Sequence, residues 1–289
     1  MHASILAFRK RRYLWAALAL TLLSLLAYGV QDPQEPANGG TVLGYSLGTL
    51  AALMIVWLTW FGIRKRRYKS TAGTLQGWLS AHVYFGVALP VVVLLHAGFQ
   101  LGWNVHMLAF ALMTLVIVSG LYGVYIYMKY PERLSENRGG ASRSELLDQL
   151  DDIDRRSRRV TDELPAEYRE FVLSGIQRTE LGSTLWQRLR NEDRSRVQIP
   201  NAAETVLNPG QEAAMDWLAE QQSRANAETA QKIAELSALL RNKRKLLRQV
   251  GLDLKLQAGI EIWLYAHVPL TAALLVALVA HIVTVFLYW

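Results

Sequence analysis

Four histidines with matched spacing carry the chemistry that this sequence can offer. Residues 78–96 read WLSAHVYFGVALPVVVLLH, and residues 263–281 read WLYAHVPLTAALLVALVAH. Both stretches begin W-L-x-A-H-V, and in both a second histidine follows the first by fourteen residues, which gives the pairs His82/His96 and His267/His281. Ionisable side chains in such apolar stretches are costly to bury in a membrane and usually functional. The two pairs are therefore the primary candidate site.

A helical conformation places both histidines of a pair on one face. Fourteen residues at ~100° each fall about 40° short of four turns, and a rise of ~1.5 Å per residue separates the two histidines by roughly 21 Å. If the two helices run side by side in the same direction, His82 lies opposite His267 and His96 lies opposite His281. Each level then offers two imidazoles to one octahedral metal, the axial ligand set that holds a b-type haem.

Two other roles remain open for these histidines. They could pack as hydrogen-bonded residues inside a membrane scaffold or assembly protein, or they could form a proton relay in a transporter or channel. The sequence contains no cysteine, which excludes disulfides, cysteine-ligated iron–sulfur clusters and covalently attached c-type haem. A haem in this chain would therefore be held noncovalently, by histidine.

Five apolar runs are long enough to cross a hydrocarbon core of ~30 Å. They cover residues 13–30, 41–63, 81–102, 106–128 and 260–289. The sequence predicts an all-α integral membrane protein, with a five-span helical bundle and a large helical cytoplasmic insert between spans four and five. We expect residues 1–128 to form spans one to four, residues 129–258 to form the insert, and residues 259–289 to complete the bundle.

The positive charges predict the orientation of the spans. Lysine and arginine cluster at residues 9–12 and 64–69, whereas residues 31–40 and 102–106 contain neither. The positive-inside rule then places the N-terminus and the insert in the cytoplasm and the C-terminus on the outer side, so that spans three and five point the same way. We expect a protein of the bacterial inner membrane whose first apolar run is a retained anchor and not a cleaved signal peptide.

The insert has a different composition from the spans. A charged linker at 129–142 precedes a helix with a predicted start at Ser144, two shorter helices and a turn-rich break. Residues 211–249 then show a long helical pattern, typical of a hairpin or short coiled coil. The insert contains no histidine and no nucleotide-binding motif, so we expect a scaffold or docking surface.

Small residues and one further histidine complete the candidate site. Gly86 follows His82 by one turn and could leave room for a flat macrocycle, while Gly120 and Gly123 fit either this role or close helix packing. His106 is predicted at the outer boundary, where it could be structural, bond a quinone or a haem propionate, or replace His96 as a ligand. Pro90 and Pro269 are expected to bend spans three and five.

The paired histidines resemble those of the di-haem transmembrane cytochromes b, most closely the ferric reductase/NADPH oxidase-type membrane domain. In that family the third and fifth spans each carry two histidines thirteen or fourteen residues apart, as spans three and five do here. The resemblance covers spans two to five. It implies that His82 and His267 ligate an inner haem b and that His96 and His281 ligate an outer one.

The resemblance also implies the class of function. A sixth span and the C-terminal flavin- and nicotinamide-binding domain of that family have no counterpart here. We therefore expect a non-catalytic or quinone-reactive electron-transfer subunit of a respiratory oxidoreductase, without catalytic residues of its own. Its expected surroundings are membrane lipid, a partner redox subunit (an iron–sulfur, flavin or c-type cytochrome protein) and, as an open alternative, quinone; nucleic acid is not expected as a partner.

Overall fold

The computed structural model describes residues 5–31, 38–66, 73–100 and 102–287 of the chain. It is 81% helical with almost no sheet, which confirms the predicted all-α class. The α-helices of the described residues are α1 (Arg12–Gly29), α2 (Val42–Arg66), α3 (Leu75–His96), α4 (Val105–Arg138), α5 (Arg143–Thr161), α6 (Ala166–Gln177), α7 (Leu185–Arg190), α8 (Glu212–Arg224) and α9 (Ala227–Leu287). Short 3-10 helices cover Ile5–Arg11 and Pro209–Gln211, and two antiparallel two-residue strands are β1 (Arg196–Val197) and β2 (Val206–Leu207).

Five of the helical stretches are long and apolar enough to cross a membrane, namely those that contain α1, α2, α3, α4 and α9. Large apolar side chains on their outer faces are exposed, as expected where lipid replaces water as the surrounding solvent. Leu22 on α1 and Val276 on α9, for example, are 57% and 71% exposed. These helices correspond to the five predicted apolar runs.

Two helix boundaries differ from the prediction. Helix α3 ends at His96 and not near residue 102, because the chain turns at once through Gly98 and Phe99, both with positive φ. Helix α4 continues through Pro131 to Arg138, where the sequence predicted a linker from residue 129.

The last turn of α4 is held by bonds to α9, which explains why the proline does not end the helix. Asn137 and Gln249 exchange two bonds of 2.8 Å, each side-chain amide donating to the other residue's backbone carbonyl. The Arg138 guanidinium also donates to Asp253 at 2.6 Å. Ser142 and not Ser144 caps the following helix, in a reciprocal capping box with Glu145.

The predicted hairpin region, residues 211–249, contains α8 and the beginning of α9. The break between them falls at Ala225 and Asn226, where the Asn226 side chain accepts the Thr229 amide at 2.9 Å. Helix α9 then runs without interruption to Leu287, so the fifth apolar run, predicted at 260–289, is the second half of a longer helix. Its apolar positions recur at helical spacing on both sides of residue 249, and Gly251 fits within the helix without breaking it.

The chain divides into two compact units. The first, here called the histidine unit, comprises Met1–Met128 and Trp263–Trp289, and the second, the polar unit, comprises Lys129–Ile262. The histidine unit has an apolar core to which α2, α3, α4 and α9 all contribute. Its buried members are Leu47, Ala51, Met54, Ile55, Leu58, Leu89, Val92, Leu95, Met113 and Leu274.

The polar unit has its own core of leucine and aromatic side chains. Phe171 of α6 packs on Trp217 of α8 with ring centroids 4.4 Å apart, and Leu236 of α9 is fully buried beside them. Lys243 of α9 is also buried, and its ammonium group pairs with Asp154 of α5 at 2.8 Å. A buried cation requires such a partner to offset its lost hydration, so this pair fixes how α5 packs on α9.

Candidate functional site

Helix α2 supports both histidines of α3 through its backbone. The Nδ1 atom of His82 lies 3.1 Å from the carbonyl oxygen of Leu58, and the Nδ1 atom of His96 lies 2.7 Å from that of Gly44. Because a carbonyl can only accept, each ring must donate its proton from Nδ1. The two accepting residues are fourteen positions apart in the order opposite to the histidines, so α2 and α3 run antiparallel and stay in register over the whole pair.

Helix α4 supports the two histidines of α9 in the same way, but through side chains. The Ser119 hydroxyl lies 2.7 Å from the Nδ1 atom of His267. The Nδ1 atom of His106 contacts the Nδ1 atom of His281. These two residues of α4 are thirteen positions apart, again in the order opposite to the histidines that they support.

The Ser119 hydroxyl also lies 2.8 Å from the carbonyl of Val116, which can only accept. Assigning the single hydroxyl proton to the Val116 bond leaves the bond with His267 to the proton of the imidazole Nδ1. This assignment gives His267 the same tautomer as His82 and His96, with an unprotonated Nε2.

The structure brings one predicted pair of histidines into contact. His82 and His267, here called the first tier, are each bound by a neighbouring helix, His82 at Leu58 of α2 and His267 at Ser119 of α4. His96 and His281, the second tier, have ring centroids 6.1 Å apart and nearly perpendicular planes. His106 joins the second tier, with its ring centroid 4.5 Å from that of His281.

An apolar layer lies between the tiers. Leu89 is the midpoint of the His82–His96 pair and Leu274 is the midpoint of the His267–His281 pair, seven residues from each histidine. Their side chains are 2% and 4% exposed, and Met113 of α4, 2% exposed, belongs to the same buried cluster. Seven residues make almost two full turns, so these leucines lie on the same helix faces as the histidines.

Glycines give the histidines room to approach their partners. A Cβ atom at Gly48, one turn after Gly44, would lie 2.6 Å from Cε1 and 2.8 Å from Nδ1 of His96. The bond from His96 to Gly44 therefore requires glycine at residue 48. At Gly120 a Cβ atom would lie 3.6 Å from the His267 ring, which is ordinary contact.

The other two glycines singled out from the sequence have different surroundings. Gly123 packs so closely against the Trp263 indole that a Cβ atom there would overlap it. This contact is the close helix packing that was one of its two predicted roles. At Gly86, among the described atoms, nothing lies within 4 Å of a Cβ position, and its predicted role in haem binding stays a prediction.

Aromatic rings flank the first tier. Phe61 lies 5.1 Å from His82 and Trp263 lies 5.4 Å from His267, between ring centroids. The Trp263 indole also donates to the backbone carbonyl of Ser119 at 2.8 Å. Trp263 thus ties α9 to the residue of α4 that supports His267.

The donors of each tier suit a haem iron and not a bare metal ion. Within the described residues, no group of three or more His, Cys, Asp or Glu side chains could hold a metal ion unaided. A tier supplies two imidazoles, which complete the coordination of an iron whose other four ligands come from a porphyrin. Histidines that ligate a metal through one ring nitrogen normally donate from the other, and the Nδ1 atoms of all four have a polar partner.

The Nε2 atoms complete the fit. Over the described ranges, no hydrogen bond engages the Nε2 atom of His82, His96, His267 or His281. Two imidazoles bound ~2.0 Å from one metal place their ring centroids about 6 Å apart, and the second tier has this separation at 6.1 Å. The second tier therefore has the ring separation that a bis-histidine haem needs.

Sequence reasoning missed the supporting residues. The accepting carbonyls of Leu58 and Gly44 have no signature in the sequence. The contact of Ser119 with His267 and that of His106 with His281 were not predicted. One feature of the sequence could have indicated them. His106 and Ser119 are thirteen residues apart, which nearly matches the fourteen residues between His267 and His281.

Comparisons with models of known protein families, with curated proteins and with solved structures found no match to this chain.

Proposed function

We propose that this chain is a b-type di-haem membrane cytochrome that carries electrons across the bilayer as a subunit of a redox complex. One observation carries the proposal: four histidines at two levels, each with Nδ1 engaged by a partner on the neighbouring helix. Packing alone does not require one ring nitrogen to remain unbonded in all four residues, whereas ligation does.

In this proposal His82 and His267 hold one haem b, and His96 and His281 hold the other. Haem b held by two histidines supplies a one-electron iron couple without an open coordination position, which suits electron transfer. Leu58, Gly44 and Ser119 would hold the Nδ1 protons and so leave the Nε2 atoms as the ligating nitrogens. Leu89, Leu274 and Met113 keep water out of the space between the tiers.

The apolar layer also distinguishes this proposal from a proton relay. A relay needs a continuous chain of hydrogen-bonding groups, and the buried side chains at the midpoint of both histidine pairs are two leucines. Electron transfer does not need such a chain. The layer therefore favours an electron conduit over a transporter with a histidine proton relay.

The sidedness in this proposal comes from the charges. By the positive-inside rule, the arginine and lysine clusters at 9–12 and 64–69 favour a first tier near the cytoplasm and a second tier near the outer side. Electrons would pass between a soluble or membrane-bound redox partner on one side and quinone or another acceptor on the other. The polar unit would lie in the cytoplasm, where it is suited to dock the partner subunit.

An absorption spectrum of the purified full chain tests the proposal. We expect α and Soret bands in the reduced-minus-oxidised spectrum and, by pyridine haemochrome assay, about two haems b per chain. The matched control replaces all four tier histidines with alanine and should be colourless. A colourless wild-type protein, prepared with sufficient haem supply, would show that the tiers do not hold haem.

Electron transfer itself is tested in liposomes. The protein is reconstituted around trapped ferricyanide, and dithionite is added outside. We expect reduction of the trapped ferricyanide with the wild type, and only the leak rate of empty liposomes with the four-alanine control. Equal rates for the two proteins would refute transmembrane conduction even if haem is bound.

A further inference from the structure

His281 differs from the other three tier histidines because its supporting partner is another imidazole. His82 and His96 donate to carbonyl oxygens, and His267 donates to a hydroxyl whose own proton is already used. The partner of His281 is His106, through a contact between two Nδ1 atoms. One of these nitrogens must donate and the other must accept, because two protons or two lone pairs would repel.

We propose that His106 is the positioning residue of the second tier and is not itself a ligand. This inference rests on the proposed function, in which His281 ligates through Nε2. His281 must then carry its proton on Nδ1, so His106 accepts that proton's hydrogen bond with its own Nδ1 and carries its proton on Nε2. His106 thus holds His281 in the same tautomer that Leu58, Gly44 and Ser119 impose on the other three.

The ring separations favour this role over ligation by His106. An imidazole pair with a metal between the rings needs a centroid separation of about 6 Å. His96 and His281 are 6.1 Å apart, whereas His106 and His281 are 4.5 Å apart. The shorter separation fits a direct hydrogen bond between the rings and leaves no room for an intervening ion. His106 is also exposed, while His96 and His281 are partly buried.

The symmetry of the helix pairs gives a second argument. Helix α4 contacts both histidines of α9, His267 through Ser119 and His281 through His106. Ser119 accepts a hydrogen bond from His267. We expect His106, thirteen residues earlier on the same helix, to accept one from His281 in the same way. A polar partner at each tier is needed to orient an imidazole that would otherwise rotate.

The test compares His106→Ala and His106→Gln in the full-length protein. Loss of a second-shell partner typically weakens metal binding by about 10- to 100-fold. We therefore expect His106→Ala to lose its second-tier haem to excess apomyoglobin at least about tenfold faster than the wild type. The glutamine variant retains an acceptor oxygen and should restore most of the retention.

Two spectroscopic readouts separate positioning from a merely structural role. Donation from Nδ1 makes the imidazole a more basic ligand and stabilises ferric iron, so His106→Ala should raise the midpoint potential of the second-tier haem. The low-spin EPR signal of that haem should also change, while the signal of the first tier stays as in the wild type. Ser119→Ala is the matched control and should change only the first-tier signal.

Three outcomes would overturn the inference. Wild-type retention, potential and EPR signal in His106→Ala would show that His106 does not support the second tier. A second-tier haem that is lost in His106→Ala but kept in His96→Ala would make His106 the ligand. A colourless wild type would instead refute the proposed function, and this inference with it.

Discussion

Two antiparallel helix pairs, α2 with α3 and α4 with α9, each hold two histidines in place, but they do so with different hydrogen-bond partners. Each pair holds two histidines fourteen residues apart and engages both Nδ1 atoms. In the first pair the hydrogen-bond partners are backbone carbonyls of α2, whereas in the second they are side chains of α4. The second lone pair of a helix carbonyl remains available for such a bond, so α2 needs no polar residue for this task.

Because one helix pair uses backbone partners and the other uses side chains, different kinds of substitution disturb the histidines of the two pairs. Backbone acceptors survive any side-chain replacement, so the α2–α3 pair is vulnerable only where a new side chain blocks the approach of a histidine. The acceptors of the α4–α9 pair can be deleted one at a time. Steric variants therefore test the first pair, and deletion variants test the second.

The largest effect is expected from Gly48→Ala. The added Cβ would lie 2.6 Å from Cε1 of His96, so the ring must leave its bond with Gly44, and small-to-large changes in a packed site also cost ~1–3 kcal/mol. We expect the haem content to fall from about two per chain to about one, with loss of the second-tier EPR signal.

Gly62→Ala is the control for this variant. Gly62 follows Leu58 by one turn of α2, as Gly48 follows Gly44, yet nothing among the described atoms lies within 4 Å of its Cβ position. We expect both haems to be retained. Loss of the same haem in both variants would show that helix disruption, and not the histidine contact, is responsible.

A smaller effect is expected from substitutions in the apolar layer, which lower the stability of the protein but leave the histidines and their partners unchanged. Leu89→Ala and Leu274→Ala each remove a buried side chain at equivalent positions of α3 and α9. Such truncations typically cost ~2–5 kcal/mol in unfolding free energy. We expect similar losses for the two variants in SDS-induced unfolding, with both haems still bound.

Leu115→Ala is the control for the layer variants. Its side chain on α4 is 52% exposed, and truncation of an exposed residue usually changes stability by less than ~0.5 kcal/mol. Equal destabilisation by all three variants would contradict the assignment of Leu89 and Leu274 to a buried layer between the tiers.

The smallest effect is expected from Ser119→Ala. The variant removes the acceptor of His267 but leaves the ring and its aromatic neighbours in place, so first-tier haem should be lost to apomyoglobin about tenfold faster than in the wild type. The control is Thr114→Ala on the same helix, because the Thr114 hydroxyl donates to Phe110 within α4. Equal retention by Ser119→Ala and the wild type would show that His267 needs no partner.

The sequence predicted the contact between His96 and His281 but not the residues that support the histidines. Spacing along a helix fixes depth and face, so His82, His96, His267 and His281 could be assigned to two levels from position alone. A backbone acceptor could not be found in this way, since every residue of α2 has a carbonyl. Gly48 is related to such an acceptor, because its missing side chain leaves room for His96 to reach Gly44. This role can be identified only when the position of α3 beside α2 is known.

The helix boundaries show a second limit of sequence reasoning. Pro131 and the charges after it indicated a linker, but bonds from Asn137 and Arg138 to α9 keep α4 helical to residue 138. Similarly, the predicted helical pattern ended at residue 249, whereas α9 continues to Leu287. At Pro131 the tertiary contacts outweigh a local preference of ~3 kcal/mol against proline inside a helix.

The central claim, that each tier is shared between α3 and α9, is tested most directly by the haem content and EPR spectra of four single variants. His82→Ala and His267→Ala should lose the same haem and leave identical residual signals, and His96→Ala and His281→Ala should both lose the other haem. If instead the residual signals match within a helix, so that His82→Ala resembles His96→Ala, each haem would belong to one helix and the two-tier arrangement would be wrong.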